Sequence, residues 1–146
     1  DKWQYRHNES FKVVRGIGRG HIMTGSETWK DYTISSKISI PLASAAGLIV
    51  RSQGLKRYYS LELTSENKLK INKMEYELKT LNEIDFNLEY FKEYDLKFTV
   101  DGNKLQGYVD NQLLIEAEDS SNPFEEGMMG FLTENGAIQS NSISIE

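Results

Sequence analysis

"KDYTISSKISI" (residues 30–40) decides the fold. Tyr32, Ile34, Ile38 and Ile40 fall on one side of an extended chain, and Thr33, Ser35, Lys37 and Ser39 on the other. A period of two sends successive side chains to opposite faces of a sheet, whereas the same residues in a helix would mix apolar and polar on every side. Pro41, which cannot donate to a ladder, is expected to end the strand. The same signature recurs at 11–15, 46–52, 57–64, 68–74, 94–101, 104–109, 112–117, 128–133 and 137–145. Between these runs lie "SQGLK", "SENK", "VDGNK", "VDNQ", "SSNPFEEG" and "TENG", which carry the Gly, Asn, Asp and Ser that turns require. Many short strands at such spacing predict an all-β antiparallel sandwich. Helical periodicity is confined to a weak turn near 82–92.

One hairpin can be registered by hand. With "QGLK" (53–56) as the loop, Ser52 faces Arg57, Arg51 faces Tyr58, Val50 faces Tyr59 and Leu48 faces Leu61. Alternation then places Leu48, Val50, Tyr59, Leu61 and Leu63 on the core face. Arg51, Tyr58, Ser60 and Glu62 are expected together on the opposite face.

The chain of 146 residues reads as one module, 1–146, long enough to bury a core without staples. A net charge of −5 argues against nucleic acid or an anionic membrane as the main partner. There is no cysteine, hence no disulfide framework and no thiolate site. No apolar run approaches the roughly 20 residues that span a bilayer, and no segment has the pattern of a signal peptide. The opening Asp1-Lys2-Trp3 reads as a segment excised from a longer multidomain polypeptide.

Several stretches invite a chemical reading and fail it. "NEIDFNLEY" (82–90) evokes the Glu-x-Asp-x-Glu or Glu-x-Asp-x-x-Glu strand of retaining sugar-cleaving sandwich enzymes. Here Asn87 and Leu88 stand where the second Glu belongs, and Glu89 comes too late. Glu83 and Glu89 would lie about 20 Å apart on a strand, against the roughly 5–5.5 Å that retaining chemistry needs. A solvated acidic edge is expected instead. "RGIGRG" (15–20) has His21 in place of a third glycine and no helix start after it, so its glycines are expected to let a strand bend. His7 and His21 have no matching carboxylate spacing for zinc or a catalytic triad. "EAEDSSN" (116–122) offers oxygen ligands without a calcium-loop pattern, and an acidic turn is the better reading.

The group that survives is aromatic and basic. "ETWKDY" (27–32) and "RSQGLKRYY" (51–59) gather Trp29, Tyr32, Arg51, Gln53, Arg57, Tyr58 and Tyr59. Sugars are commonly held by an aromatic ring against their C–H face and by Arg, Glu and Gln on their hydroxyls. Core packing competes with that role: Tyr32 and Tyr59 have core parity, Trp29 fits a core anchor, and Arg51 facing Tyr58 would make a cation–π pair near Glu62.

"TGSETWKDYTISSKIS", "AAGLIVRSQGLKRYYSLEL", "YDLKFTVDGNKLQGYVDNQLLIEAED" and "GMMGFLTENGAIQSNSISI" resemble, in that order, the laminin-G/concanavalin-like sandwich modules across residues 11–146. Within that group the chain looks nearest to the C-terminal module of bacterial ADP-ribosylglycohydrolase-like proteins, itself similar to levan-type carbohydrate-binding modules. The resemblance implies a two-sheet concanavalin A-like jelly roll, a catalytic domain upstream and a bacterial cytoplasmic setting. It implies no cofactor. It maps Glu27, Trp29, Arg51, Gln53, Arg57 and Tyr58 onto the family's characteristic stretches, and Glu62 joins them by parity. The function expected is a non-catalytic accessory module binding carbohydrate or an ADP-ribose-like ligand on a concave sheet face. A structural, interdomain or oligomerisation module is the alternative, and an autonomous glycosidase the least favoured.

Overall fold

In a computed structural model, residues 3–145 are described, with 3–20, 22, 41–42, 137 and 139–143 described by backbone alone. Ten strands succeed one another: β1 (Trp3–Thr24), β2 (Tyr32–Leu42), β3 (Ala45–Ser52), β4 (Arg57–Thr64), β5 (Lys68–Glu75), β6 (Glu77–Asp85), β7 (Glu93–Asp101), β8 (Lys104–Val109), β9 (Gln112–Glu118) and β10 (Met128–Ile145). The hydrogen-bonded order is β6-β5-β4-β3-β10-β2-β7-β8-β9, with β1 on β10. β10 pairs with β3 through residues 128–134 and with β2 through 137–145. It therefore passes from one layer into the other, and β1 follows it along its length. The result is an all-β antiparallel sandwich of two layers.

Ile34, Ile38, Leu48, Leu61, Phe98, Leu105 and Phe131 fill the space between the layers. The layers approach closely: a Cβ built on Gly107 of β8 would lie 2.5 Å from the Leu61 side chain of β4. Asp110 and Asn111 both take positive φ between β8 and β9, the twist that a two-residue hairpin loop demands.

The hand-built hairpin register holds where it pairs Val50 with Tyr59 and Leu48 with Leu61. Elsewhere the structure corrects the expectation. β6 was not foreseen, because Leu78, Leu81 and Ile84 are spaced three apart as on a helix. A register shift between Ile71 and Asn72 of its partner β5 explains the spacing. This bulge breaks the alternation, so that Leu81 and Ile84 both reach the core. The helical turn near 82–92 is absent; strand runs to Asp85 and loop follows. β2 continues through Pro41 to Leu42, past a register shift against β10. "RGIGRG" lies within β1, across the register shift between Arg15 and Arg19, which is a bending role.

Candidate functional site

The predicted site residues separate into two places. The first is the end of the sandwich where the segment 119–127 runs between β9 and β10. Arg51 sits there with a positive φ of 49°. Against β10, Val50 and Arg51 together face Met129 alone, since Met128 pairs with Ser52 and Gly130 with Ile49. That bulge and the left-handed backbone turn the Arg51 side chain away from Tyr58, and the cross-strand pair expected from parity does not form. Gly127 permits the close approach: a Cβ there would fall 2.4 Å from the Arg51 carbonyl carbon.

Arg51 is 2% exposed. Its Nε donates to the Lys30 carbonyl at 2.9 Å, one terminal nitrogen to the carbonyls of Gly102 and Phe124, and the other to Asp31 Oδ1 at 2.8 Å. Four of the five N–H donors of a guanidinium are thus occupied within the protein. Its backbone N–H donates to the Tyr32 hydroxyl at 2.6 Å, and that hydroxyl donates to Gly127 O at 3.0 Å. Burial pushes the Tyr32 phenol well above its ordinary pKa, against the lowering effect of the Arg51 N–H and guanidinium. A cavity of about 420 Å³ opens beside Arg51 between Asp31, Asn103 and Pro123.

A second buried cation grips the same segment. Lys73 Nζ lies 2.6 Å from Asp119 Oδ2 and donates to the carbonyls of Ser121 and Asn122 at 2.8 and 3.0 Å. Asp119 also accepts from the Tyr59 hydroxyl at 2.6 Å and from Ser121 N at 3.0 Å. Burial pushes the Asp119 carboxyl up, but Lys73, Tyr59 and the Ser121 N–H together outweigh it and hold the carboxyl below its usual range. Tyr59 moves up for the same burial, reinforced by Asp119. The acidic turn expected at 116–122 is therefore half wrong: Asp119 faces inward as an ion-pair partner. Among the described residues no cluster of three His, Asp or Glu side chains could hold a metal.

The second place is the outer face of the β3–β4–β5 layer. Glu62 and Asn72 are 1% and 2% exposed, and Ser60 is fully covered. Ser60 Oγ and Asn72 Nδ2 both donate to Glu62 Oε2, the latter at 3.0 Å. Asn72 Oδ1, buried beside them, accepts from no described donor. Tyr58 packs on this same face with Ile49 and Leu132, and its hydroxyl lies 3.3 Å from His21 Nε2. Across the sheet Glu62 pairs with Lys70 and Lys70 with Glu83, which carries the row out to solvent.

Of the other predicted site residues, Gln53 donates to the Glu126 carbonyl at 3.1 Å, and Arg57 lies 4.7 Å over the Phe124 ring. Half-buried Trp29 meets Tyr32 edge-on and accepts from Gly127 N through its carbonyl. Glu27 is exposed in the loop before β2. The structure thus gathers Trp29, Arg51, Gln53 and Arg57 around 119–127 and leaves Tyr58 and Glu62 on the outer face. Ser60 stands on the outer face where parity set it; Asn72 and Lys73 were missed, because nothing in "KINKMEY" distinguishes a buried polar residue from a solvated one. Glu83 and Asp85 are exposed on β6, and exposed Glu89 pairs with Lys92 in the loop beyond it. His7 has no described side chain.

No protein-family model and no curated protein sequence matches the chain. Solved structures do. A carbohydrate-binding module, CBM66, from Bacillus subtilis superposes with a TM-score of 0.78 at 24% identity, over 88% of this chain and 82% of that one. The Caenorhabditis elegans galectin LEC-6 gives 0.66 at 11% identity over 92% and 95%. A fructosyltransferase from A. japonicus gives 0.67 at 10% identity, over 99% of this chain but 26% of the enzyme. The chain carries their β-sandwich fold. At these identities the likeness is one of architecture.

Proposed function

We propose that this module is non-catalytic and binds carbohydrate on the outer face of the β3–β4–β5 layer. The observation that carries the reading is the buried acceptor Asn72 Oδ1, unmet beside a carboxylate and a hydroxyl at the centre of a sheet face. Such an orphan calls for an explanation, and a carboxylate–carboxamide–hydroxyl set is the complement of sugar hydroxyls. Glu62 and Asn72 form the floor, and Lys70, Glu83 and His21 form the reachable rim. The names of the solved neighbours, a carbohydrate-binding module and a fructosyltransferase among them, support the same ligand class. Neither Asp85, which Lys68 holds below its usual range, nor Asp119, where Lys73 and Tyr59 outweigh burial, is tuned as a general acid, which needs the opposite shift.

The resemblance of the chain's phrases to those of ADP-ribosylglycohydrolase-like proteins supports, beyond the fold, a place beside such a catalytic domain in a bacterial cytoplasm. It also selects ADP-ribose as a probe. Tyr90 and Phe91, the latter 76% exposed at the far end of the sandwich, favour a second reading in which that end seats on a neighbouring domain.

A glycan array followed by calorimetry with fructo-oligosaccharides, xylo-oligosaccharides and ADP-ribose tests the first reading. Saturable binding by one class is expected, weakened about tenfold or more by Glu62→Gln. Silence toward every probe at millimolar concentration removes it.

A further inference from the structure

Tyr76 stands alone at the tip between β5 and β6, because Glu75 and Glu77 pair directly across it. It is 67% exposed and takes φ 65°. A bulky residue rarely adopts that backbone, which glycine would enter without strain. The N–H of Tyr76 donates to the Lys56 carbonyl at 2.8 Å and fixes the tip against the β3–β4 loop. An aromatic ring is therefore held outward on a conformation that disfavours it, a pattern that marks functional positions.

Beside it lies a row of planar polar groups. Arg57 pairs across the ladder with Glu75. Its Nε donates to Gln53 Oε1 at 3.1 Å, and its terminal nitrogen lies 3.8 Å from Glu75 Oε2. Asn122 Nδ2 approaches the same carboxylate oxygen at 3.5 Å. The Phe124 ring beneath the guanidinium sets its plane. Arg57 and Glu75 are each about one-third exposed, so the row is fixed from below and open above. Its one cation and one anion cancel, which disfavours a highly charged ligand. Alternating donors and acceptors beside an exposed ring suit a ligand with adjacent hydroxyls and an apolar C–H face.

We infer that Tyr76, with Gln53, Arg57, Glu75 and Asn122, forms a second sugar-contacting site at the loop edge of this layer. The ring stacks on the sugar, Arg57 and Asn122 donate to hydroxyls, and Glu75 and Gln53 accept from them. The site shares its ligand class with the outer-face reading but none of its residues.

The test is amide chemical-shift mapping of the 15N-labelled protein with fructo-oligosaccharides and xylo-oligosaccharides, in wild type, Tyr76→Gly and Tyr76→Phe. Shifts at Gln53, Arg57, Tyr76 and Asn122 are expected in wild type, and binding within about threefold of it in Tyr76→Phe, where the ring remains. Tyr76→Gly should lose these shifts while its melting temperature rises by about 2–4 °C as the strain is relieved. A merely structural tyrosine would not separate the two readouts. Shifts confined to residues 60–72 overturn this site and leave the outer-face reading standing. Shifts that persist in Tyr76→Gly overturn it as well, as does an absence of shifts with both oligosaccharides, whereas the outer-face reading falls only when the glycan array and ADP-ribose are silent too.

Discussion

Asn72 and Lys73 are neighbours on β5, both nearly fully buried, and they serve opposite faces. Lys73 points between the layers, where a carboxylate and two carbonyls take its ammonium protons. Asn72 points outward, where its amide nitrogen is used and its oxygen is not. The same contrast separates Arg51, with four donors occupied by the protein, from Asn72 Oδ1, which accepts from no described donor. A buried polar group whose hydrogen bonds are complete holds the fold together; one left incomplete retains something to offer a ligand.

The largest effect should come from Lys73→Met, which strands Asp119 as a buried unpaired charge. A loss of about 3–5 kcal/mol in urea unfolding is expected, with part recovered by adding Asp119→Leu. Acid probes the same pair. The folded carboxyl of Asp119 is depressed, so its contribution is present above the ordinary carboxyl range near pH 4 and disappears as pH falls through and below it. Wild type should therefore destabilise on acidification more steeply than the double variant. Next, Arg51→Lys keeps the charge but cannot reproduce the fork, and about 2–3 kcal/mol of stability should go while sugar affinity stays. If affinity collapsed and the melting temperature held, the contrast between the two clusters would be broken. The smallest change in stability, about 1–2 kcal/mol, is expected for Asn72→Leu, because removing the unmet Oδ1 offsets part of the loss of the Nδ2 hydrogen bond to Glu62. Its calorimetric affinity for sugar should nonetheless drop about tenfold or more.

Most strands of the sandwich were legible because half-buried strands write their burial into alternation, as 30–40 and 57–64 do. β6 was not, since its bulge replaces a period of two by a helix-like three. Arg51 carried the right residue type and the wrong address. Parity assumes an unbroken ladder, and a left-handed residue in a bulge resets the face. The convergence of Trp29, Arg51, Gln53 and Arg57 on 119–127 could not be read at all, because its contacts join loops about 70 to 100 positions apart in the chain.

The pairing of β1 with β10 sets residue 3 beside residue 145. During synthesis β1 must wait for β10, so this sandwich cannot close until residue 145 has been made. Such distant pairing places folding among the slow, millisecond-to-second cases and leaves unpaired edges open to aggregation in the interval.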